Sequence, residues 1–448
     1  MKHLGAWTLL WLCVCAWTAK TWAADPDPPY TLKELAELAL RHTLATGEGS
    51  WKVAGAQARL RQLQAARFLP RLRLESTSGL VPAAHGDIFN PPADTSGLRD
   101  LGPFNQTELE FVQPLYVAGA AALGRAAQQG VVVEEAGVEG QRLDLVLEVA
   151  ELYYSIQLAH QLGDLADDLQ KKIAEKRAEI EENPAIPLSG HYKFRLALVE
   201  LAKQGQIIEQ KLALAQAALA WKTGLKEGES VELDTLELVP ETAVLPPLDS
   251  LCARALGQRP DWRKLQAGLK AKEAMVKAAR GAYYPQLMLS GGVRYAVAPK
   301  RTDQHSPFVK DEFNYFNGGM VLRLRQALEW NLIGAEVDKA QAEYQELKAK
   351  ERLNAQGIRV DVERAHTNYQ QALSELGAAI ETRRLSRQWL KEAQDAYELD
   401  ADEAKELIAG FEAWAQSEQA YYEAVYRHNL ALAKLEKTTG GLSLKVRP

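Results

Sequence analysis

Two kinds of periodicity divide the chain. Over long proline-free stretches the apolar positions recur at three and four residues, as in Leu143, Leu147, Ala150, Tyr154 and Leu158, which marks one buried stripe on a helix. Elsewhere the period drops to two. Leu72 and Leu74 alternate with Arg71, Arg73 and Glu75, and Leu109 and Phe111 alternate with Glu108 and Glu110. Leu287, Leu289, Val293 and Tyr295 alternate with Gln286, Ser290 and Arg294, and Met320, Leu322 and Leu324 with Val321, Arg323 and Arg325. Four strands with one apolar and one charged face are therefore expected.

The pattern is said twice. FLPRLRL begins at Phe68 and YYPQLML at Tyr283, 215 positions further on in a chain of 448 residues. Each follows an Ala-rich charged helix, and each forces the switch from helix to strand, because a proline disfavours the helical conformation in the residue before it. A repeat at half the chain length means two copies of one structural unit. The first copy is expected over 24–225, with strands at about 70–80 and 104–116 and a long helix hairpin over 118–225. Lys226 to Pro247 is acidic, proline-bearing and without period, and reads as a linker. The second copy is expected over 248–448, with strands at about 285–297 and 313–326 and a hairpin over 327–440. Thr31 and Glu34 form a capping box for the opening helix.

The helices are too long for a globule. No proline lies between Leu115 and Asn183 or between Phe308 and Arg447, and a helix over 118–182 would be about 100 Å long at about 1.5 Å per residue. Such lengths suit coiled coils or helical barrels. The hairpins turn at Asn183 to Pro187, with Ser189 and Gly190 close behind, and at Leu399 to Asp402.

The first 23 residues are expected to be a secretory signal: a short polar start, an apolar run from Leu4 to Trp17, and small residues before a cut after Ala23. Cys13 and Cys15 lie inside that run without a preceding small residue, which argues against a lipoprotein signal. Cleavage removes Lys2 and Lys20 and no acid, so the formal charge moves from −6 to −8, against a nucleic-acid partner. Cys252 alone then remains, so no internal disulfide holds the chain. No apolar run reaches the length of a transmembrane helix. Strands of about ten residues can cross a bilayer when tilted, with the charged face turned to water.

A half-buried soluble sheet alternates in the same way. Here four strands in an exported chain, flanked by such helices, have no soluble core to cover. Four strands cannot close a barrel, and an open sheet in lipid leaves unpaired edges, so the chain is expected to oligomerise. Three copies give twelve strands.

Arg259-Pro260-Asp261-Trp262, the helix running to Tyr283-Tyr284-Pro285, Ser290-Gly291-Gly292, Val112-Gln113-Pro114-Leu115-Tyr116 before Gly119, and Tyr421 to Gly440 around Asn429-Leu430-Ala431-Leu432-Ala433 resemble the outer membrane efflux protein family, the TolC-like channel-tunnels. The likeness covers nearly the whole mature chain. It departs at Gln326-Ala327-Leu328-Glu329-Trp330-Asn331, where the family often has Pro and a Gly pair.

The resemblance implies a mainly α fold of two repeats, with coiled-coil helices in an α-barrel and four strands per chain in a 12-stranded trimeric β-barrel. It implies a homotrimer in the bacterial outer membrane, in contact with its lipid and with a large periplasmic part. It implies passive export for a periplasmic membrane-fusion adaptor and an inner-membrane pump of RND or ABC type, in small-molecule efflux or type I secretion. The other class is a periplasmic coiled-coil structural or adaptor protein that conducts nothing; lipid-compatible strand faces favour the first.

No enzyme site, cofactor site or metal site is expected: the histidines are scattered, and the glycines form no phosphate loop. The candidate functional residues are of three kinds. Arg71, Arg73, Glu108, Glu110, Arg294, Arg323 and Arg325 are expected to line the barrel lumen. Asp400, Asp402, Glu403 and Glu406 are the candidate periplasmic pore constriction, where a ring of carboxylates would attract cations. Asn183, Pro184, Ser189 and Gly190 are the candidate partner-docking tip.

Overall fold

The computed structural model describes residues 29–86, 100–182, 188–225, 231–305, 308, 310–399 and 404–441. The expected signal, Asn183, Pro184, Asp400, Asp402 and Glu403 lie outside them.

Among the described residues eight α-helices and four strands follow one another in two similar runs. The first holds α1 (Leu32–Thr46), α2 (Glu48–Phe68), β1 (Arg71–Pro82), β2 (Leu101–Tyr116), α3 (Ala120–Glu182) and α4 (Leu188–Thr223). The second holds α5 (Leu248–Gln258), α6 (Pro260–Arg280), β3 (Gln286–Val297), β4 (Tyr315–Arg325), α7 (Trp330–Leu399) and α8 (Ala404–Thr438). α3 has 63 residues and α7 has 70, so each extends about 95–105 Å. Among the described residues no helix is long and apolar enough to cross a membrane.

The strands form one antiparallel sheet in the order β1-β2-β3-β4. The long helices form one layer: α3 packs on α2, α4, α6 and α8, and α7 on α6 and α8. Midway along that layer lies a belt made by α1, α5 and residues 231–245, and most of the core sits beneath it. Leu35, Val149, Ile156, Leu219 and Leu238 are fully buried there, with Leu251, Val362 and Leu435 in the neighbouring cluster under α5.

Belt and layer are stitched by side chains. Tyr153 OH donates to Asp234 Oδ1 at 2.7 Å, and Gln157 Nε2 to the Thr235 carbonyl at 3.0 Å. Buried Asn429 donates to the Val239 carbonyl and accepts from the Glu241 N–H, both at 2.9 Å. A buried side-chain amide satisfied at both ends fixes one position of the strap. The capping box of α1 is formed: the Glu34 N–H and the Thr31 backbone N–H each meet the other residue's side chain.

Helix layer and sheet meet where two chain segments cross at van der Waals distance. Gly119 begins the turn into α3 with φ +84°, a conformation that suits glycine. Opposite it, a Cβ on Gly281 would stand 2.6 Å from the Ala118 carbonyl oxygen. We expect Gly281→Ala to cost about 1–3 kcal/mol, the range of overpacking. It would lower the temperature at which the purified protein loses its helical signal; an unchanged melt would mean the crossing is loose.

At the far end of the sheet the two hairpin connections hold each other. Arg301 donates to the Pro82 carbonyl at 2.8 Å and lies 3.8 Å over the Phe313 ring.

Candidate channel wall and tip

The ladder register sorts the sheet into two faces. Leu72 faces Phe111, Phe111 faces Gly291, and Gly291 faces Met320; Leu74, Leu109 and Val293 form the next row. Leu289 with Leu322, and Leu287 with Leu324, complete the apolar side. These leucines and Met320 on the edge strands are exposed in the single chain. Phe111 fits because Gly291 has no side chain: a Cβ there would stand 2.7 Å from the ring.

All seven residues expected on the charged side lie together on the opposite face. Arg73 pairs with Glu110, and Glu108 with Arg294, while Arg71 faces Val112, Arg323 faces Met288 and Arg325 faces Gln286. Arg294 Nε meets Glu108 Oε1 at 2.6 Å, and Arg73 meets Glu75 at 3.1 Å. Charged groups this exposed contribute little stability as pairs.

Aromatic residues bound the apolar band. Tyr284, Tyr116, Phe68 and Trp330 stand exposed at the helix end, with Trp330 stacked on Tyr283 at 6.0 Å between centroids. Tyr295 and Phe316 are paired and exposed further up the sheet. From Tyr284 to Tyr295 is about 36 Å along a strand, or about 28 Å of height at a tilt near 40°, close to the apolar band of a membrane barrel. Tyr315 lies on the charged face opposite Ala296, because alternation turns it away from Phe316.

At the height of Tyr295 the apolar face becomes polar in a way the alternation hid. Thr107, the ladder partner of Tyr295, bonds with Ser76 at 3.0 Å, and Asn105 donates to Ser76 and Ser78 at 3.2 and 2.8 Å. This closed group sits at and beyond the aromatic row.

Of the tip candidates, Glu406 is described. It lies exposed in the first turn of α8, and its carboxylate accepts from Trp389 Nε1 of α7 at 3.0 Å. Ser189 and Gly190 lie in the first turn of α4.

A buried network that the helical periodicity does not mark lies above this tip. Glu418 is 3% exposed and receives Arg383 Nε at 2.8 Å, Arg387 Nε at 2.6 Å and Trp414 Nε1 at 3.2 Å. Ser386 and Ser417 bond beside it, and Lys172 of α3 lies 4.3 Å over the Trp414 ring. Burial alone would raise the Glu418 carboxyl, but the hydrogen bonds and charges of the two arginines outweigh it and hold it below the ordinary carboxylate range. A signal was available: in an antiparallel hairpin turning near position 401, partners lie about equally far on either side. Arg383 with Glu418 and Glu375 with Arg427 obey this.

No cluster able to hold a metal ion is present among the described residues.

The family described as "Outer membrane efflux protein" matches residues 251–441. The cation efflux system protein CusC of Escherichia coli O6:H1 is 26% identical over 253 residues, 55% of this chain and 51% of that protein. The multidrug resistance outer membrane protein MdtP of Shigella flexneri is 27% identical over 314 residues, 66% of this chain and 60% of its own length. The matched stretch thus spans about half of these curated relatives. Among solved structures, a crystal structure of CusC superposes with TM-score 0.72 at 19% identity, covering 92% of both chains. The open-state MtrE outer membrane channel of Neisseria gonorrhoeae superposes with TM-score 0.74 at 19% identity, covering 92% of this chain and 89% of that one. Residues 251–441 thus match the outer membrane efflux protein family, and the described chain has the fold of the CusC and MtrE structures.

Proposed function

We propose that this protein is the outer-membrane exit channel of a tripartite efflux or type I secretion system. As a homotrimer it conducts substrates passively, from a periplasmic adaptor and an inner-membrane pump to the exterior. The observation that carries this reading is the sheet: apolar on one face over a membrane's thickness, charged on the other, and unpaired at both edges, β1 and β4.

Unpaired edges are not tolerated in lipid, so copies must join edge to edge. Two copies would make eight strands, whose interior side chains fill. Three make twelve and leave a bore. The helices support the same closure. α4 exposes Tyr192, Leu196, Val199, Leu214 and Trp221 along one stripe, and α7 exposes Leu353, Val360, Leu385 and Trp389, neither covered by the described residues of the chain. A second copy of the chain fits both.

Conductance tests the proposal. Purified protein added to a planar bilayer is expected to give steps of uniform size whose ion selectivity changes in Arg323→Leu. A protein that inserts and conducts nothing would contradict it and favour the structural coiled-coil reading.

The acidic tip is proposed as the constriction. Asp402, Glu403 and Glu406 from three chains would gather nine carboxylates near one axis, where repulsion is relieved by bound cations or protonation. Screening within about 8 Å confines the effect to a narrow ring. Neutralising all three positions is expected to weaken block by divalent cations and to shift selectivity towards anions. Unchanged block in single-channel recordings would leave them as ordinary acids at a helix start.

A further inference from the structure

Where α8 ends and α6 begins, a groove of about 790 Å³ opens between α3 and α7. Its floor is apolar, with Leu143, Leu147, Leu430 and Ala431 among its lining, and its rim is charged. Five cations reach it against three carboxylates. Arg259 is held by Asp261 and Asp361, and Lys437 by Asp144. Arg427 donates from Nε to the Glu423 carbonyl at 3.3 Å and lies 3.8 Å from the Glu375 and 3.9 Å from the Glu423 carboxylate. Arg364 and Lys434 form no ion pair among the described residues and stand exposed at the rim.

The groove opens away from the belt. On α3 the belt is met by Val149, Tyr153 and Ile156, and the groove by Leu143 and Leu147, nearly half a turn round the helix. On α8, Leu432 and Leu435 face α5, while Leu430 and Lys434 face the groove. The groove and the belt thus lie on opposite sides of the layer, so a closed ring that carried the belt on its outer side would turn the groove to the bore. It also lies within one chain, between α3 and α7, with Arg364, four residues after Val360, at the border between the groove and the free face of α7.

We propose that this groove is a binding site for amphiphilic organic anions, an apolar body with a carboxylate, sulfonate or phosphate, which dock from the tunnel lumen during passage. The inference rests on the conduit reading for its direction of access. A volume of this size suits a drug-sized ligand, and such sites combine an apolar lining with a few placed charges. Arg364 and Lys434 are the charges left over for a ligand. The apolar floor sets a preference for amphiphiles over small inorganic anions, whose hydration it cannot replace. Three such sites around the bore would form a band of anion attraction, opposite in sign to the proposed acidic tip.

The test uses the full chain extracted in uncharged detergent and 2-naphthalenesulfonate as probe, by equilibrium dialysis. One probe is expected per chain. The double variant Arg364→Gln/Lys434→Gln is expected to bind it about tenfold more weakly, and Arg364→Lys/Lys434→Arg to restore binding. Inorganic phosphate is expected to compete poorly, and naphthyltrimethylammonium not at all. Equal affinity in wild type and the Gln variant, with both retaining the same melting temperature, would overturn the site. Equally tight binding of the naphthyl cation would overturn the anion preference, and effective competition by phosphate the role of the apolar floor. Because the dialysis needs no conduction, a protein that binds the probe but carries no current would sink the conduit and leave the site standing.

Discussion

Leu289→Arg is expected to block assembly of the trimer in the outer membrane, whereas Arg323→Leu on the neighbouring strand assembles normally. Leu289 lies midway between Tyr284 and Tyr295, so on the proposed placement its side chain meets lipid near the bilayer midplane. An arginine there costs about 2–4 kcal/mol per chain, and three chains share one barrel. Leu324, paired with Leu287 nearer the inner aromatic row, is expected to tolerate arginine better, since the penalty falls to about 0–1 kcal/mol near the interface. Arg323 lies on the other face, opposite Met288, and its loss should alter ion selectivity and leave assembly intact. Heat-resistant trimer on gels, with bilayer recording for Arg323→Leu, separates the cases. Equal behaviour of Leu289→Arg and Arg323→Leu would show that the sheet faces are assigned the wrong way.

Glu418→Gln is expected to loosen the α7–α8 hairpin. Removing one member of a buried ionic network leaves its partners with an uncompensated charge, here Arg383 at 23% exposure and the more exposed Arg387. The cost is about 3 kcal/mol, the lower end for a broken buried pair. The pH dependence has a fixed sign. The folded carboxyl titrates below its ordinary value, so its stabilisation is fully present above about pH 4.3 and is lost as pH falls through the lower folded value. The gap in melting temperature between wild type and variant should therefore be widest near neutrality and shrink in acid. A constant gap from pH 7 to pH 3.5 would mean that the carboxylate charge contributes nothing there. Faster hydrogen exchange confined to the lower halves of α7 and α8 would place the loosening in this hairpin.

Much of this architecture was legible because its elements are extreme. Helices of 63 and 70 residues cannot hide in a sequence: proline is absent from them and the apolar stripe persists. The strand faces were legible for the same reason, since alternation of Leu with Arg or Glu fixes which residues share a face. All seven charged-face candidates followed from that rule. It failed where the side chains were neither apolar nor charged. Ser76, Ser78, Asn105 and Thr107 carry no periodic signal, yet they close a hydrogen-bonded group on the face that leucine marks lower down. Gly102 and Pro103 likewise blur the start of β2, which the ladder extends to Leu101.

The network around Glu418 was hidden differently. Arg383, Arg387 and Glu418 look like the charged surface of any long helix. Their burial depends on a partner 31 to 35 positions away, visible only once the hairpin is folded about its turn. Asn429 shows the opposite case. It was singled out within a stretch resembling a family, and the structure supplies its job: two backbone hydrogen bonds that hold the strap on α8.

Whether three chains close one barrel is decided by the mass of the particle extracted from outer membranes in mild detergent, measured by native mass spectrometry. Three times the mass of the mature chain is expected, without other polypeptides. A stable single chain recovered from the soluble periplasmic fraction would contradict it.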